Sequence, residues 1–471
     1  MTNSLFADTH PFTAPGEALD SRNFSTPANT PLNALEARKT NMFKNSSLFT
    51  QTTRQIVLLF VLGLIGLMTS VRANAVSYET THDFQGAISE SANPVGGMVQ
   101  DPATGNYYGT TRFGGLNNQG TVFCMLPGTF TVKIIHSFNG ADGANPTGTL
   151  ILLSSPLTPD SKTTLVGTTL NGGASKLGTI FRIATSGIPF SSLYSFKGGA
   201  DGANPYAGVI QASDNSLYGT TQRGGRYSLG TVYRLNSNGT DTILHHFAGT
   251  VNAGMVDGAT PNARLLQIDG KGDLVGTTVR GGIQNNGVVF RISLTGTPYH
   301  LLHQFIGTDG ANPMSELIEV PDPKNGKMLY GTTPSGGIDP TGLPTNHGTV
   351  YRLYETGAFF SSVYVFGANG PDDGKNPVSA LVRATNADGS FYLYGTTFGG
   401  GSANLGTVYA VKPLGTSPEI QLYAFTGLTS SIDDGAHPYS AMILSQTDSL
   451  LYGTCFNDGK YNDGTLFHIT P

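Results

Sequence analysis

The sequence contains no tryptophan, only two cysteines, and few charged residues, which make up 12% of its 471 positions. The two cysteines are too far apart in the chain to suggest a cysteine-ligated metal site. The net charge is −5 and there is no basic run, so nucleic acid is not an expected partner, because phosphate binding needs clustered Lys and Arg. Helical periodicity is also lacking, which excludes helical repeat folds.

Long apolar runs are scarce as well. The run Ile56–Met68 is short for a membrane span. Basic residues precede it and Ala73-Asn74-Ala75 follow it, a pattern typical of a secretory signal peptide. We therefore predict a signal peptide at residues 54–75, cleaved before Val76, and a secreted or periplasmic protein with no membrane span after cleavage. An uncleaved signal anchor is the alternative.

The segment before this signal, residues 1–53, is polar and has no periodicity. Its composition predicts disorder. A start at Met42 would give a signal peptide of ordinary length, so residues 1–41 are equally consistent with a misassigned start. Either Met1 or Met42 is compatible with the sequence.

What the chain does contain is a repeat, with glycine at 63 positions and proline at 26. The motif Tyr-Gly-Thr-Thr or a close variant recurs roughly every 50 to 65 residues, a period typical of arrays and propellers. Each unit continues with Gly-Gly, Gly-Thr-Val-Phe, Phe-x-Gly, Asp-Gly and Asn-Pro. The seven motif copies start at Tyr108, Val166, Tyr218, Val275, Tyr330, Tyr394 and Tyr452.

Each unit divides into four short segments rich in Val, Ile, Thr, Tyr and Phe and bounded by turn residues, which predicts four strands. Four antiparallel strands per repeat is the content of one propeller blade. The sequence therefore predicts an all-β fold, a seven-bladed β-propeller of four-stranded blades spanning residues 76–471. The glycine of Tyr-Gly-Thr predicts a close backbone approach, which we expect between blades.

The ends of the repeat array are out of phase. Residues 78–86 match the last strand of a unit, whereas Gly464–Pro471 matches the third strand of the seventh unit. We therefore expect the N-terminal strand to complete the last blade, which closes the ring and removes an open sheet edge.

Cys124 and Cys455 fall in the first and last units on different strands, so we expect two buried thiols, with a disulfide left open.

The order of these motifs resembles the GloVer tandem-repeat proteins of bacteria, also called choice-of-anchor tandem-repeat proteins. The resemblance covers about residues 77–471 and implies an exported repeat protein of propeller type, without implying an activity. Members often end in a sorting or anchoring segment, whereas this chain ends on Pro471 in the last blade. Release or periplasmic residence is therefore expected in preference to surface anchoring.

Acidic residues recur in the connection between units, at Asp142, Asp201, Asp257, Asp309, Asp373 and Asp434. A ring of carboxylates suggests calcium, but each connection offers one carboxylate while calcium takes about six to eight oxygens. Turn formation by Asp-Gly explains the pattern better. We expect no metal and no cofactor, with calcium as the weaker alternative and the doubled Asp372-Asp373 and Asp433-Asp434 as its best ligands.

Histidines two residues before Phe-x-Gly (His82, His136, His245 and His303) alternate with tyrosines (Tyr194, Tyr364 and Tyr423). This exchange predicts ring packing on the outermost strand and not catalysis. The units differ most in their Gly-Gly loops, where Arg, Asn and Tyr could recognise a sugar or a peptide by hydrogen bonding and stacking. The candidate ligand-binding residues are Arg112, Asn118, Arg223, Arg226, Tyr227, Arg280, Asn286 and His347.

Three functions remain open. The first is a monomeric, exported propeller that acts as a binding or scaffold module for a glycan or a protein. The second is a propeller-fold polysaccharide lyase or hydrolase with acid and base groups from several blades. The third is a structural protein of the cell envelope. The sequence contains no nucleophile elbow, zinc-protease motif or phosphate-binding glycine loop.

Overall fold

The computed structural model describes residues 76–86, 90–153, 163–250, 256–268, 272–322, 326–385, 390–413, 419–428 and 433–471. The predicted N-terminal extension and signal peptide, residues 1–75, lie outside the described residues, so both stay predictions. Among the described residues, no helix has the length and apolarity that crossing a membrane requires.

The described chain forms seven antiparallel blades, as the repeat predicts. The first strand, β1 (Tyr78–Asp83), belongs to the last blade. Blade 1 contains β2 (Ser91–Pro94), β3 (Val99–Gln100), β4 (Tyr107–Gly114), β5 (Thr121–Met125) and β6 (Val132–Ser137). Blade 2 contains β7 (Ile151–Leu153), β8 (Thr164–Thr169), β9 (Thr179–Ala184) and β10 (Phe190–Ser195). Blade 3 follows a short 3-10 turn, Gly199–Asp201, and contains β11 (Ile210–Gln211), β12 (Leu217–Thr221), β13 (Thr231–Leu235) and β14 (Asp241–His246).

The remaining blades repeat this order. Blade 4 contains β15 (Gly258–Ala259), β16 (Leu266–Gln267), β17 (Asp273–Thr278), β18 (Arg280–Gly281), β19 (Val288–Ser293) and β20 (Tyr299–Gln304). Blade 5 contains β21 (Ile318–Asp322), β22 (Gly326–Thr333), β23 (Thr349–Tyr354) and β24 (Ser361–Val365). Blade 6 contains β25 (Gly374–Lys375), β26 (Val382–Thr385), β27 (Phe391–Thr397), β28 (Gly399–Gly400), β29 (Thr407–Val411) and β30 (Ile420–Ala424). Blade 7 contains β31 (Ala436–Pro438), β32 (Ile443–Leu444), β33 (Leu451–Asn457) and β34 (Thr465–Ile469).

Strand β1 closes the ring, as the phase of the repeat predicts. It pairs with β34 in an antiparallel register that runs from Tyr78 opposite Ile469 to Asp83 opposite Thr465. The outer edge of β34 is thereby covered, and blade 7 gains its fourth strand. The closing strand also supplies Phe84, which is 1% exposed and packs against blade 1.

The core lies between blades and not within any one of them. Each of the seven apolar clusters of the described residues joins the facing surfaces of two consecutive blades. At their centre the Phe of Phe-x-Gly meets an aromatic ring of the next blade edge to face, as in Phe138 on Phe181 with ring centroids 5.1 Å apart. Phe84 on Phe123 repeats this contact at 5.6 Å across the closure. Such pairs add roughly 0.5–1.5 kcal/mol beyond area burial.

The Tyr-Gly-Thr-Thr strand is explained position by position. A Cβ on Gly219 would lie 2.4 Å from the hydroxyl of Tyr233, its cross-strand partner in blade 3. The close approach is therefore between strands of one blade, and the expectation that it lies between blades was wrong. The first Thr binds the next blade, since Thr168 Oγ1 donates to the carbonyl of Ala207 at 2.9 Å.

The second Thr of the motif pairs inside its own blade. Thr221 Oγ1 lies 2.8 Å from Thr231 Oγ1 and also donates to the carbonyl of Arg223. Blade 7 has Cys455 at this position. Cys455 and Cys124 are both buried free thiols, so the prediction of two unpaired cysteines is confirmed.

Candidate functional site

One face of the propeller carries two sets of loops, which we call the loop face. The inter-blade loops, which lead from the outermost strand of one blade to the innermost strand of the next, pair with the Gly-Gly loops between second and third strands. Ala144 of an inter-blade loop and Asn171 of a Gly-Gly loop exchange backbone hydrogen bonds of 2.8 and 3.0 Å. The same pairing joins β15 to β18 and β25 to β28. The loop face is thus a continuation of the sheets and not a set of free loops.

The Asn of Asn-Pro locks consecutive blades together on this face. Asn145 has a φ of 53°, a left-handed conformation that Asn tolerates better than most residues. From there its side-chain amide donates to the carbonyl of Arg112 at 3.0 Å, and its backbone N–H donates to the carbonyl of Gln119 at 2.7 Å. Asn204 and Asn312 repeat the side-chain bond on the preceding blade. The following Pro has no N–H to leave unpaired.

The inter-blade carboxylates are hydrogen-bonded within their own loops. Asp142 accepts from the backbone N–H of Asn139 at 2.9 Å and contacts His136 Nε2 at 3.0 Å. Asp373 accepts from the Tyr364 hydroxyl at 2.8 Å and from three backbone N–H groups. Turn formation therefore accounts for these residues. The described residues contain no group of three His, Cys, Asp or Glu side chains arranged to hold a metal ion, and calcium stays an untested alternative.

The outer His and Tyr positions pack as rings, and they also bind the inter-blade carboxylates. His136 stacks on Phe190 of the next blade with ring centroids 4.0 Å apart. At six of the seven ring positions, all except His82, the polar atom of the ring contacts the Asp of the inter-blade loop that follows it in the described chain. The contacts of His245 with Asp257 and of Tyr423 with Asp434 measure 2.9 and 2.7 Å. Sequence reasoning found the ring position but missed this bond, although an Asp follows these six rings in the sequence.

The structure spreads the eight candidate binding residues over four blades. Arg223, Arg226 and Arg280 are exposed cations of the loop face, and the Arg226 guanidinium lies 5.6 Å from the ring centroid of half-buried Tyr227. Asn118 uses its side-chain oxygen to accept from the N–H of Gly114 at 2.9 Å, so it closes its own loop.

Asn286 and His347 occupy a packing position. A Cβ placed on Gly367 would lie 2.2 Å from His347 Nδ1, so the imidazole covers that glycine. Burial, with the nearby Lys375, lowers the pKa of His347. Asn286 lies in the same way against Gly307 in the preceding blade. The carbonyl of Asn286 accepts from the backbone N–H of Asn312, and the carbonyl of His347 accepts from that of Asn376. Both residues therefore support the contact between consecutive blades that the Asn of Asn-Pro makes.

Arg112 differs from the other seven because it holds in blade 1 the repeat position that Phe398 and Phe456 hold in blades 6 and 7, directly after the Tyr-Gly-Thr-Thr motif or its variant. Short segments next to the innermost strands of all seven blades line a central channel with a volume of about 80 Å³. Small residues form its wall, and a Cβ on Gly148 would lie 2.3 Å from the backbone of Gly208. Ligand pockets are typically about 300–1,000 Å³. The interior of the channel is therefore too narrow for a ligand, and only its mouth is available.

Two tyrosines meet over this mouth. Tyr206 of blade 3 donates its hydroxyl hydrogen to the hydroxyl oxygen of Tyr439 of blade 7, at 2.8 Å. Phe398 and Phe456 lie against the Tyr439 ring, with centroids 6.2 and 6.4 Å away. The charge of Arg112 acts on both hydroxyls. We call these five residues the mouth cluster: Arg112, Tyr206, Phe398, Tyr439 and Phe456.

The electrostatics of the mouth cluster come from burial and one cation. Burial raises the pKa of Tyr206 and of Tyr439 above the usual value, while the charge of Arg112 opposes that rise. Both phenols are therefore neutral hydrogen-bonding groups at physiological pH. Deeper in the channel, Arg264 and Glu316 form a two-bonded ion pair, each bond 2.9 Å long.

A second concave surface lies between blades 1 and 2 on the loop face, with a volume of about 670 Å³. Its wall consists mostly of Gly, Ala and Asn, with Lys176 at its edge. The side chains of Asn139 and Asn171 are already hydrogen-bonded to the protein. This cleft offers space but few free polar groups, so the mouth cluster is the better candidate site.

The sequence model described as the Gloeobacter/Verrucomicrobia repeat matches residues 152–343 and 323–471. No curated protein has a significantly similar sequence. One similar structure is the extracellular domain of a protein described as a hybrid two-component system from B. thetaiotaomicron. The two sequences are 10% identical, and the structures superpose with a TM-score of 0.48. The match covers 82% of this chain and 40% of that chain. This chain thus spans about two-fifths of the length of that structure. An oligogalacturonate lyase from Vibrio parahaemolyticus also has 10% identity and a TM-score of 0.48, with 84% and 97% covered. Likeness at this level concerns the fold alone.

Proposed function

The chain belongs to the Gloeobacter/Verrucomicrobia repeat family, and on that premise we propose that its propeller is an exported binding module that engages a glycan at the mouth of the central channel. The observation that carries this proposal is the mouth cluster. It breaks the sevenfold repeat by combining aromatic rings and a guanidinium at positions where the other blades have neither. The position of Tyr206 and Tyr439 holds Val95, Thr147, Asn262, Met314 and Val378 in the other blades.

The chemistry of the cluster suits a sugar. Sugar rings have apolar faces that stack on aromatic side chains, and hydroxyls that bind phenols and guanidinium groups. Phe398, Tyr439 and Phe456 provide the rings, and Tyr206 and Arg112 provide hydrogen-bonding groups. The rigid blades beneath hold these side chains in place, which lowers the ordering cost of binding.

We propose binding in preference to catalysis because the mouth cluster contains no evident catalytic base. A polysaccharide lyase or hydrolase needs a base that loses its proton near neutral pH. Burial raises the pKa of both tyrosines at the mouth, which makes them poor bases. Asp339, the acid of the most divergent Gly-Gly loop, accepts from Thr341 and Leu343 of its own turn. An enzyme remains the alternative, and the same experiment tests it.

Export is the second part of the proposal. It is supported by the apolar run Ile56–Met68 with its following Ala73-Asn74-Ala75. Expression of the full chain in a Gram-negative host should yield periplasmic or released protein that begins at Val76. Full-length protein in the cytoplasm or the membrane would contradict this part.

The test of binding uses the protein purified after expression of the full chain. Neutral and acidic polysaccharides are immobilised, and both retention of the protein and release of small products are measured, the latter by mass spectrometry. We expect retention without products, lost in Tyr206→Ala/Tyr439→Ala and kept in Tyr461→Ala, which truncates an exposed loop tyrosine. Release of products would establish an enzyme. No retention on any polymer would overturn the glycan proposal and favour a protein partner or a structural role.

A further inference from the structure

Arg112 is a cation without a counter-ion at the mouth. Among the described residues, no carboxylate forms an ion pair with it, and its buried Nε has no hydrogen-bond partner. Its guanidinium lies 5.4 Å from the ring centroid of its neighbour Phe113. Taking a charge out of water without pairing it is costly. Arg112 is therefore prepared for an anion that the described protein does not supply.

The contrast with Arg264 sharpens this point. Arg264 lines the channel, has a side chain that is 26% exposed, and is neutralised by Glu316 through two hydrogen bonds of 2.9 Å. The fold thus pairs Arg264 with a carboxylate and leaves Arg112 without one among the described residues. The charge of Arg112 acts on both hydroxyls of the tyrosine pair at the mouth.

The tyrosine pair supplies a second donor. Because the Tyr206 hydroxyl donates to the Tyr439 oxygen, the hydrogen of the Tyr439 hydroxyl is free to point elsewhere. Burial keeps that hydroxyl protonated. Together, the Arg112 guanidinium and the neutral Tyr439 phenol offer two donors of the kind that the two oxygens of a carboxylate accept.

We propose that the ligand is an acidic glycan, and that a carboxylate on one of its sugars binds Arg112 and Tyr439 while the sugar ring lies against Phe398 or Phe456. This inference rests on the proposed function, because it specifies the ligand of the same site. It concerns uronic acids, whose planar carboxylate fits a guanidinium in two-bonded geometry. Sulfated sugars share the negative charge but not the planar shape.

The experiment compares two forms of one ligand. Oligouronates and the same oligosaccharides with their carboxyl groups chemically reduced are titrated by calorimetry into the protein expressed as the full chain. We expect the reduced form to bind roughly 10-fold to 100-fold more weakly, as for loss of a charge-assisted hydrogen bond. A sulfated neutral-sugar oligomer serves as a third probe, and equal binding of it would overturn the preference for a carboxylate.

Variants locate the contact. Arg112→Gln should weaken oligouronate binding by roughly 10-fold or more and abolish the preference over the reduced form. Arg112→Lys should keep part of that preference, and Tyr439→Phe should reduce it. Two control substitutions, Lys460→Gln at an exposed loop cation of blade 7 and Lys176→Gln at the cleft between blades 1 and 2, should leave binding unchanged. Melting temperatures check that each variant is folded.

The outcomes separate the two proposals. Equal binding of acidic and reduced ligands would overturn the acidic-glycan inference and leave glycan binding standing. Loss of binding in Lys176→Gln with retention in Arg112→Gln would also overturn the inference, since the ligand would then occupy the cleft. Failure of every glycan to bind would overturn the proposed function together with the inference.

Discussion

His303 and Asp309, six residues apart in the chain, meet through Nε2 and Oδ2 at 2.9 Å on the rim between blades 4 and 5. The other oxygen of Asp309 accepts from the backbone N–H of Ile306 at 2.8 Å, while Phe360 of the next blade stacks on His303 with centroids 3.6 Å apart. One carboxylate therefore fixes an inter-blade loop, an outer ring and, through that ring, the neighbouring blade.

Replacement of this carboxylate should loosen the rim. Asp309→Ala should lower the free energy of unfolding by about 1–3 kcal/mol, because it leaves a half-buried imidazole and a backbone N–H without partners. Asp309→Asn should cost less, since its amide oxygen can still accept from Ile306. Urea unfolding is the measurement, with exposed Asp372→Ala as control. A cost for Asp309→Ala no larger than that of the control would mean that the rim contact is not stabilising.

Closure of the ring by β1 should contribute to the free energy of unfolding. Phe84 is buried between blades 7 and 1, and Phe84→Ala should cost about 3–5 kcal/mol, as for other buried aromatic truncations. The matched control is Phe359→Ala, since Phe359 is 77% exposed; its cost should stay within about 0.5 kcal/mol. Thermal and urea unfolding measure both. Equal costs would contradict a closure that depends on β1.

Blade 7 should become more stable when Cys455 is replaced by the threonine that the other blades have at this position. Thr465 Oγ1 is buried and has only the sulfur of Cys455 beside it, where five other blades place a Thr–Thr pair. Cys455→Thr should therefore raise the free energy of unfolding by about 1 kcal/mol, the usual value of one hydrogen bond. Cys455→Val, which has a similar shape and no hydroxyl, is the control. A gain in Cys455→Val equal to that in Cys455→Thr would assign the effect to packing alone.

Two rim positions carry acids where other blades carry rings, and they should make stability depend on pH. Asp241 and Glu419 correspond to Phe190 and Tyr299 in the repeat. Burial, with the negative charge of Asp201, raises the pKa of Asp241 from 3.8 to about 7. Burial, with the negative charge of Asp373, raises the pKa of Glu419 from 4.5 to about 8.

A carboxyl whose pKa is higher in the folded state than in the unfolded state holds its proton more tightly when folded. These two groups therefore contribute their full stability below about pH 4, and that contribution is lost as pH rises through about 7 for Asp241 and about 8 for Glu419. Asp241→Asn and Glu419→Gln should match the parent protein at about pH 3.5, where both carboxyls are largely protonated in the folded and the unfolded state. At pH 8.5 each should be more stable by about 1–2 kcal/mol, a value reduced for partial exposure. The measurement is the melting temperature of each variant at both pH values, with Asp372→Asn as control. A stability gain that is equal at both pH values would contradict the prediction that ionisation of Asp241 and Glu419 destabilises the fold.

The sequence allowed the ring to be predicted because its evidence is repeated. Seven copies of one motif determine the blade number, and the phase of residues 78–86 against Gly464–Pro471 determines the closure. The reason for the motif glycine was wrong. Gly219 makes room for Tyr233 of its own blade, and cross-strand register was not available from the sequence.

Of the five residues of the mouth cluster, the sequence analysis predicted only Arg112 as a binding residue. Attention to the Gly-Gly loops selected residues such as Asn118 and His347, whose polar atoms or rings serve the loops themselves. Tyr206 and Tyr439 were missed, although a signal existed: each follows the proline of its unit, a position that differs from blade to blade. Their meeting joins residues 233 positions apart, and no local pattern reports which side chains converge on an axis.

The pairing of β1 with β34 also sets an order of events during biogenesis. The first strand of the propeller to leave the ribosome is the last to acquire a partner, because its register with Thr465–Ile469 cannot form until blade 7 has been made. Contacts of such high sequence separation form slowly, and until then β1 and β34 both present unpaired strand edges that favour aggregation. Assembly of this ring is therefore governed by its C-terminal blade, and interruption of synthesis anywhere before it leaves a chain that cannot complete its fold.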